Sequence, residues 1–287
     1  VDPIISINTL AYEGYDLTTA LQEIAKIGAS HVELGYTRGF TEGLTEAHFN
    51  EASAVKISRL LSDLGLSSIA LSAHIDLTTE DAVDELKKRI DFGKRLGVKI
   101  VNTKAGARFG RKRFEKNIDS IAEYAQSMNI IIGLENPAEG ADQIITSGKT
   151  GAEVVKRIDS DFIKLNYDFG NAFTYSKGEV DPAFDYKEAL PYACYLHLKD
   201  MQKKVDGWRF AQIGKGLVGY DIILRELVEE KKLLPLSIEH LFIYSATKNL
   251  IVQRKAKAPE LDQIRISLKA SYDYIASFIH RSRSIKN

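Results

Sequence analysis

The sequence predicts an α/β fold closed into a single (β/α)8 TIM barrel. Three observations carry this. Short apolar, β-branched runs alternate with longer amphipathic stretches from one end of the chain to the other, which is the pattern of parallel βαβ units. There are eight such pairs, the number that closes a barrel. The 287 residues, 44% of them hydrophobic, match the size of one barrel of about 250 residues.

In chain order the strand candidates are Ile4–Asn8, His31–Leu34, Ser68–His74, Lys99–Thr103, Ile130–Glu135, Phe162–Asp168, Ala193–His197 and Leu236–Glu239. The helical patterns between them run near Leu17–Ile27, Glu46–Leu64, Glu80–Leu96, Arg111–Met128, Thr150–Ile158, Pro182–Leu190, Asp221–Lys232 and Pro259–Ile279. Gly28, Gly65 and Gly97 each follow a last helical turn, where a left-handed residue ends a helix. Asp16, Thr45 and Thr79 stand at expected helix N-caps. No composition shift, Pro-rich linker or low-complexity tract interrupts the pattern, so residues 1–287 read as one domain.

Lys plus Arg (39) equals Asp plus Glu (39), so no net field favours nucleic acid or an anionic membrane. The runs Arg111-Lys112-Arg113 and Arg281–Lys286 read as a solvated helix start and a solvated tail. A lone cysteine, Cys194, allows no internal disulfide and fits a reducing compartment. No apolar run approaches the roughly 20 residues of a membrane span. Val1-Asp2-Pro3 carries no signal-peptide pattern, although the chain does not begin with Met. A cytoplasmic protein is expected.

In a barrel of this kind, chemistry belongs where strands end and βα-loops begin. Four polar residues close the last four apolar strands: Glu135 in Ile-Ile-Gly-Leu-Glu-Asn-Pro, Asp168 in Lys-Leu-Asn-Tyr-Asp-Phe-Gly-Asn, His197 in Tyr-Leu-His-Leu-Lys-Asp and Glu239 in Leu-Ser-Ile-Glu-His. Their intervals of 33, 29 and 42 residues fit two βα units and a third with a long loop. Taken singly, a strand-end carboxylate caps a loop as readily as it catalyses. Three carboxylates brought into one small volume repel unless a cation neutralises them. Oxygen ligands with one imidazole suit a divalent ion, Mn²⁺ first, with Mg²⁺, Co²⁺ or Zn²⁺ as alternatives.

With these residues in place, the sequence resembles the xylose-isomerase-like barrel superfamily of sugar isomerases, ketose 3-epimerases, inosose dehydratases and abasic-site endonucleases. Further matching pieces are Val32-Glu33-Leu34-Gly35, Ser72-Ala73-His74, His197-Leu198-Lys199-Asp200 and Ile213-Gly214-Lys215-Gly216, so the likeness runs from about Ile4 to Ile279. The resemblance implies one divalent metal held by Glu135, Asp168, His197 and Glu239. It also implies a metal-dependent sugar isomerase or epimerase in which Glu135 and Glu239 move a proton beside a carbonyl through a metal-stabilised enediolate. β-Elimination from the same intermediate makes a dehydratase or lyase on a keto-polyol or shikimate-like acid the alternative.

Departures narrow the reading. The endonuclease branch resembles a three-metal site, and here Asn171, Trp208 and Phe210 stand where its extra ligands are expected; Lys104 replaces another His. Binding of nucleic acid is therefore not expected. The expected partner is a small sugar or polyhydroxy carbonyl compound, and the superfamily's habit of oligomerising makes a homo-oligomer an expectation as well. His74, Lys104, Arg209 and Asn171 are candidate substrate contacts, with His74, Lys104 and Arg209 leaning towards a carboxylated substrate. Glu33 reads as structural or functional alike. Gly214-Lys215-Gly216 is a short glycine turn and a weak phosphate candidate. Tyr36, Phe109, Phe173 and Trp208 are candidate pocket walls, with core packing as the alternative for each.

Overall fold

The computed structural model describes residues 3–41, 43–136 and 142–284. Its strands are β1 (Ile5–Asn8), β2 (His31–Gly35), β3 (Ser67–Asp76), β4 (Ile100–Lys104), β5 (Ile131–Glu135), β6 (Ile163–Asp168), β7 (Ala193–Leu198), β8 (Asp200–Lys204), β9 (Gly207–Ala211), β10 (Leu236–Ile238), β11 (Tyr244–Thr247) and β12 (Val252–Arg254). β1 to β7 and β10 form a closed parallel barrel in the order β1-β10-β7-β6-β5-β4-β3-β2. All eight expected strands are there, each within about three residues of the predicted ends.

The helices are α1 (Leu17–Ile27), α2 (Glu51–Asp63), α3 (Ala82–Leu96), α4 (Arg111–Met128), α5 (Gly148–Ile158), α6 (Phe169–Tyr175), α7 (Pro182–Ala189), α8 (Tyr220–Glu229) and α9 (Leu261–Ser284). Their apolar stripes face the strands, as Leu21, Ile24 and Ile27 of α1 show by their full burial. Gly28 and Gly97 end α1 and α3 at φ +88° and +79°, a conformation that penalises any Cβ. Asp16 caps α1 by accepting from the Thr19 amide. Two boundaries differ from expectation. Thr45 caps only a separate 3₁₀ turn, Glu46–His48, and α2 starts behind Asn50, which accepts from the Ser53 amide. Thr79 caps no helix: α3 begins after Asp81, and the Thr79 hydroxyl donates to the Asp76 carbonyl. The basic run 281–286 lies outside the residues whose side chains are described.

A second sheet, not anticipated, stands at the C-terminal end of the barrel. β8, β9, β11 and β12 pair antiparallel in the order β12-β11-β9-β8. β8 and β9 form a hairpin across Val205-Asp206, and β11 joins β9 by pairing Ala246 with Trp208. Met201, Trp208 and Ala246 make its apolar underside, against Phe173 of α6. No described helix is long and apolar enough to cross a membrane.

Candidate metal and active site

Glu135, Asp168 and His197 sit at the C-terminal ends of β5, β6 and β7, and Glu239 immediately follows β10. These four strands are consecutive neighbours in the barrel, and Asp168 is paired in register with His197. The Glu239 amide donates to the Leu198 carbonyl, which sets Glu239 beside His197. The result is convergence: one ligand atom from each residue lies within 4.8 Å of the others, and all four are buried. His197 Nδ1 is 2.7 Å from Glu135 Oε1, 3.3 Å from Glu239 Oε2 and 4.0 Å from Asp168 Oδ2.

The opposite edge of the imidazole is anchored from inside the barrel. His197 Nε2 lies 2.9 Å from a Glu33 oxygen. That carboxylate also accepts from Asn8 Nδ2 (3.0 Å), Ser72 Oγ (2.8 Å) and Asn102 Nδ2 (2.8 Å), so β1, β2, β3 and β4 all contribute to holding it. Gly133 leaves the room this requires, since a Cβ there would come within 2.2 Å of Asn102 Oδ1. Burial opposes the Glu33 charge, but His197 and the Ser72 hydroxyl hold its carboxyl below the ordinary range. An ionised Glu33 accepts a hydrogen bond from Nε2–H, which turns Nδ1 towards the three carboxylates. A carboxylate behind a ligating histidine is the usual way such a ring is oriented.

Asp168 shows a similar division between its two oxygens. Oδ1 accepts from the Asn171 amide and so caps α6, while Oδ2 faces the cluster. Lys199, two residues beyond His197, places Nζ 2.8 Å from Asp168 Oδ2 and 2.8 Å from Glu239 Oε2, and donates to Asn171 Oδ1 at 3.0 Å. Burial works against the ammonium, but Asp168, Glu239 and Glu135 keep Lys199 well above the ordinary lysine range. Burial pushes Asp168 up to about 7, Lys199 opposing it and Glu135 and Glu239 reinforcing it. His197 too stays protonated well above the ordinary imidazole range in spite of burial, because Glu33 and Glu239 flank the ring. These shifts describe carboxylates crowded together without enough positive charge. Asp168 Oδ2 and Glu239 Oε2 share the single Lys199 ammonium between them. Three oxygens and one nitrogen converging in a buried volume fit a divalent cation.

A cavity of about 580 Å³ opens above the cluster. His74, Lys104 and Asn171 line it, as do Glu135, Glu239 and Lys199. His74 Nδ1 stands 3.7 Å from Glu135 Oε2; burial holds the ring below the ordinary imidazole range, Glu135 and Glu239 opposing, so it is a neutral hydrogen-bonding group near neutrality.

Arg209 does not belong to this set. Residues alternate across a strand, and Trp208 and Phe210 take the face of β9 towards the cavity and the core beneath it. Arg209 points away and holds Asp206, the Trp208 carbonyl and the Ala246 carbonyl. The glycine turn is no phosphate site either. Asp200 occupies it, accepting from the amides of Gly214, Gly216 and Val218. Of the aromatic candidates, Tyr36 stacks on Phe92 in the core, Phe173 packs edge-on against Trp208, and Phe109 is 87% exposed. The aromatic walls among the described residues are Phe40, Tyr175, Phe210 and Tyr244. Lys199 was also missed, although it directly follows β7, two places beyond a candidate ligand, where the alternation of a strand keeps it on the same side. Glu33 carried no sequence signal that separates its role from plain burial.

The description of a xylose isomerase-like TIM barrel matches residues 21–247. The chain belongs to that family. No curated protein matches its sequence. Among solved structures, a xylose isomerase-like TIM barrel protein from Mycobacterium smegmatis, in complex with magnesium, is similar over 96% of this chain and 98% of its own at 17% identity (TM-score 0.72). D-psicose 3-epimerase from Clostridium cellulolyticum H10, with D-tagatose, is similar over 96% and 99% at 13% identity (TM-score 0.73). A probable 3-DHS dehydratase from Bacillus anthracis is similar over 92% and 97% at 16% identity (TM-score 0.68). At these identities the likeness concerns the fold.

Proposed function

We propose that the chain, read as one domain, is a divalent-metal-dependent isomerase or epimerase of polyhydroxy carbonyl compounds. The observation that carries this is the convergence of Glu135, Asp168, His197 and Glu239 within 4.8 Å beneath a cavity large enough for a sugar. These four would hold the ion, Mn²⁺ by preference with Mg²⁺, Co²⁺ or Zn²⁺ as alternatives, since the donors are three oxygens and one imidazole. When bound, it would offset the carboxylate charge and polarise a substrate carbonyl.

The remaining work falls to side chains. Glu135 ends β5, Glu239 follows β10, and both reach the cavity. One would take the proton from the carbon beside the carbonyl and the other would return one. Return to the opposite face of the same carbon is epimerisation; return to the neighbouring carbon is isomerisation. His74, Lys104 and Asn171 offer hydrogen bonds to hydroxyls. Lys199 holds Asp168 and Glu239 and adds positive charge where an oxyanion develops.

The test has two parts. Purified protein should carry about one divalent ion per chain, lose thermal stability on chelation and lose most of the ion in His197→Ala. Incubation with a panel of ketoses, ketose phosphates and keto-polyols in D₂O should put deuterium beside the carbonyl of a substrate. Glu135→Gln and Glu239→Gln should each lower turnover by about 10²–10⁴-fold. Normal turnover of an identified substrate in both variants refutes the two-carboxylate mechanism. Net loss of water from the substrate would instead make the enzyme a dehydratase.

A further inference from the structure

The cavity is larger than a simple sugar needs, and its two halves differ in chemistry. At about 580 Å³ it accepts on the order of twenty waters at ~30 Å³ each, whereas a ketohexose has only about a dozen non-hydrogen atoms, packed more closely than water. The half over β2, β3 and β4 is polar, lined by Arg38, Asp76, Thr79, Asp81 and Lys104. Arg38 is already paired with Glu46 (3.2 Å) and Glu85 (3.6 Å), and Asp76 and Asp81 add negative charge. This half suits neutral hydroxyls better than a phosphate or carboxylate. The half under the small sheet is mainly apolar, walled by Met201, Phe210, Leu241, Tyr244 and Val252, with Ser245 of β11 as a polar member. Phe40, from the loop after β2, meets Tyr244 at 5.7 Å between ring centroids and so joins the two halves at the mouth.

We infer that the substrate is a neutral keto-sugar carrying a ring-sized apolar substituent, such as an aryl glycoside. Its polyol portion lies at the strand ends and its substituent lies against the small sheet. This rests on the proposed function and names the substrate class for the same site. A monosaccharide alone would leave Phe210, Leu241 and Val252 facing water, and the five apolar side chains there have no polar atom to offer it except the Tyr244 hydroxyl. That hydroxyl is already taken, donating to Glu13 at 2.9 Å. A ring placed there removes apolar surface from water on both partners.

A keto-pyranoside keeps its carbonyl when its anomeric oxygen is substituted, so the comparison is phenyl 3-keto-β-glucopyranoside against its methyl counterpart. Calorimetric titration of the metal-loaded full chain should show the phenyl compound binding at least about tenfold tighter, as burial of one aromatic ring implies. Phe210→Ala and, at a 48% exposed position that folding tolerates, Val252→Ser should each shrink that advantage severalfold. An advantage below tenfold, including failure of both compounds to bind, overturns the inference, and so does an advantage that neither substitution reduces. Metal content and deuterium exchange on the same preparations separate the two proposals. If metal is bound and the methyl compound exchanges while phenyl brings no advantage, only the substrate class falls. If no metal is taken up, the proposed function falls and takes the substrate class with it.

Discussion

The floor and the roof of the cavity are built in different ways. The floor consists of four residues at the ends of four neighbouring parallel strands, all buried and tied to an internal hydrogen-bond network through Glu33. The roof is a four-stranded antiparallel sheet made of two segments, residues 200–211 and 244–254, and its edge strand β12 is exposed along its whole length. The floor is held by the barrel ladder, and its four side chains are buried. The roof is held by a small apolar underside, so it can change without disturbing the floor. On the proposed function, chemistry belongs to the rigid part and substrate selection to the adaptable one.

That contrast is open to attack, most strongly through kinetics. Glu239→Gln should lower kcat by about 10²–10⁴-fold, while Phe210→Ala should act mainly on KM. A fall in kcat as deep in Phe210→Ala would show that the roof takes part in the chemistry. The next effect concerns the support beneath the floor. Glu33→Gln should weaken metal affinity by roughly 10–100-fold, as loss of the carboxylate behind a ligating histidine commonly does. Calorimetric titration with Mn²⁺ checks it, and unchanged affinity would mean that His197 holds its orientation without Glu33.

The third effect belongs to the loop that leads from β10 into the roof. His240 stacks between Phe210 and Phe242, and burial, with Lys255 adding, holds its pKa down to about 3. The unfolded value is ~6.5. The native state thus binds fewer protons than the unfolded chain between these two values, so this group's contribution is complete above about pH 6.5 and is lost as pH falls towards 3. The slope is at most about 1.4 kcal/mol per pH unit. Unfolding midpoints measured across pH 7 to 4 should fall less in His240→Phe, which keeps the stack without the titrating group. Equal acid slopes would remove His240 as the weak point of that loop. The smallest effect is expected at Arg209→Ala. Its pair with Asp206 is solvent-exposed and worth no more than about 1 kcal/mol, and KM should not change. A large KM increase would return Arg209 to the substrate site.

How much could be read from the sequence follows the same division. The barrel was legible because strand and helix periodicity are local, and the four strand ends because an apolar run ending in a carboxylate or histidine is visible in a few residues. The roof was not. Asp206-Gly207 between Met201-Gln202-Lys203-Lys204 and Trp208-Arg209-Phe210-Ala211 is a hairpin signal, but in a chain already read as βα units the segment passed as a long loop. Its partner strands lie more than thirty residues further on, and nothing local announces the pairing. The family resemblance suggested Arg209 as a substrate contact, but only the strand β9 fixes which side of the backbone the residue takes.

By itself the sequence determined the barrel, the order of its elements and the identity of the four cluster residues, since each depends on patterns a few residues long. Closure of the barrel decided the rest. Asn8, Glu33, Ser72, Asn102 and His197 become neighbours only when five strands turn their side chains into one interior. That meeting fixes the orientation of His197. Lys199 acquires its role because burial leaves it Asp168 and Glu239 as partners in place of water. The shape and two-sided character of the cavity depend on how loops from opposite sides of the rim meet, as Phe40 and Tyr244 do, and contacts between segments two hundred residues apart leave no periodic trace in the chain.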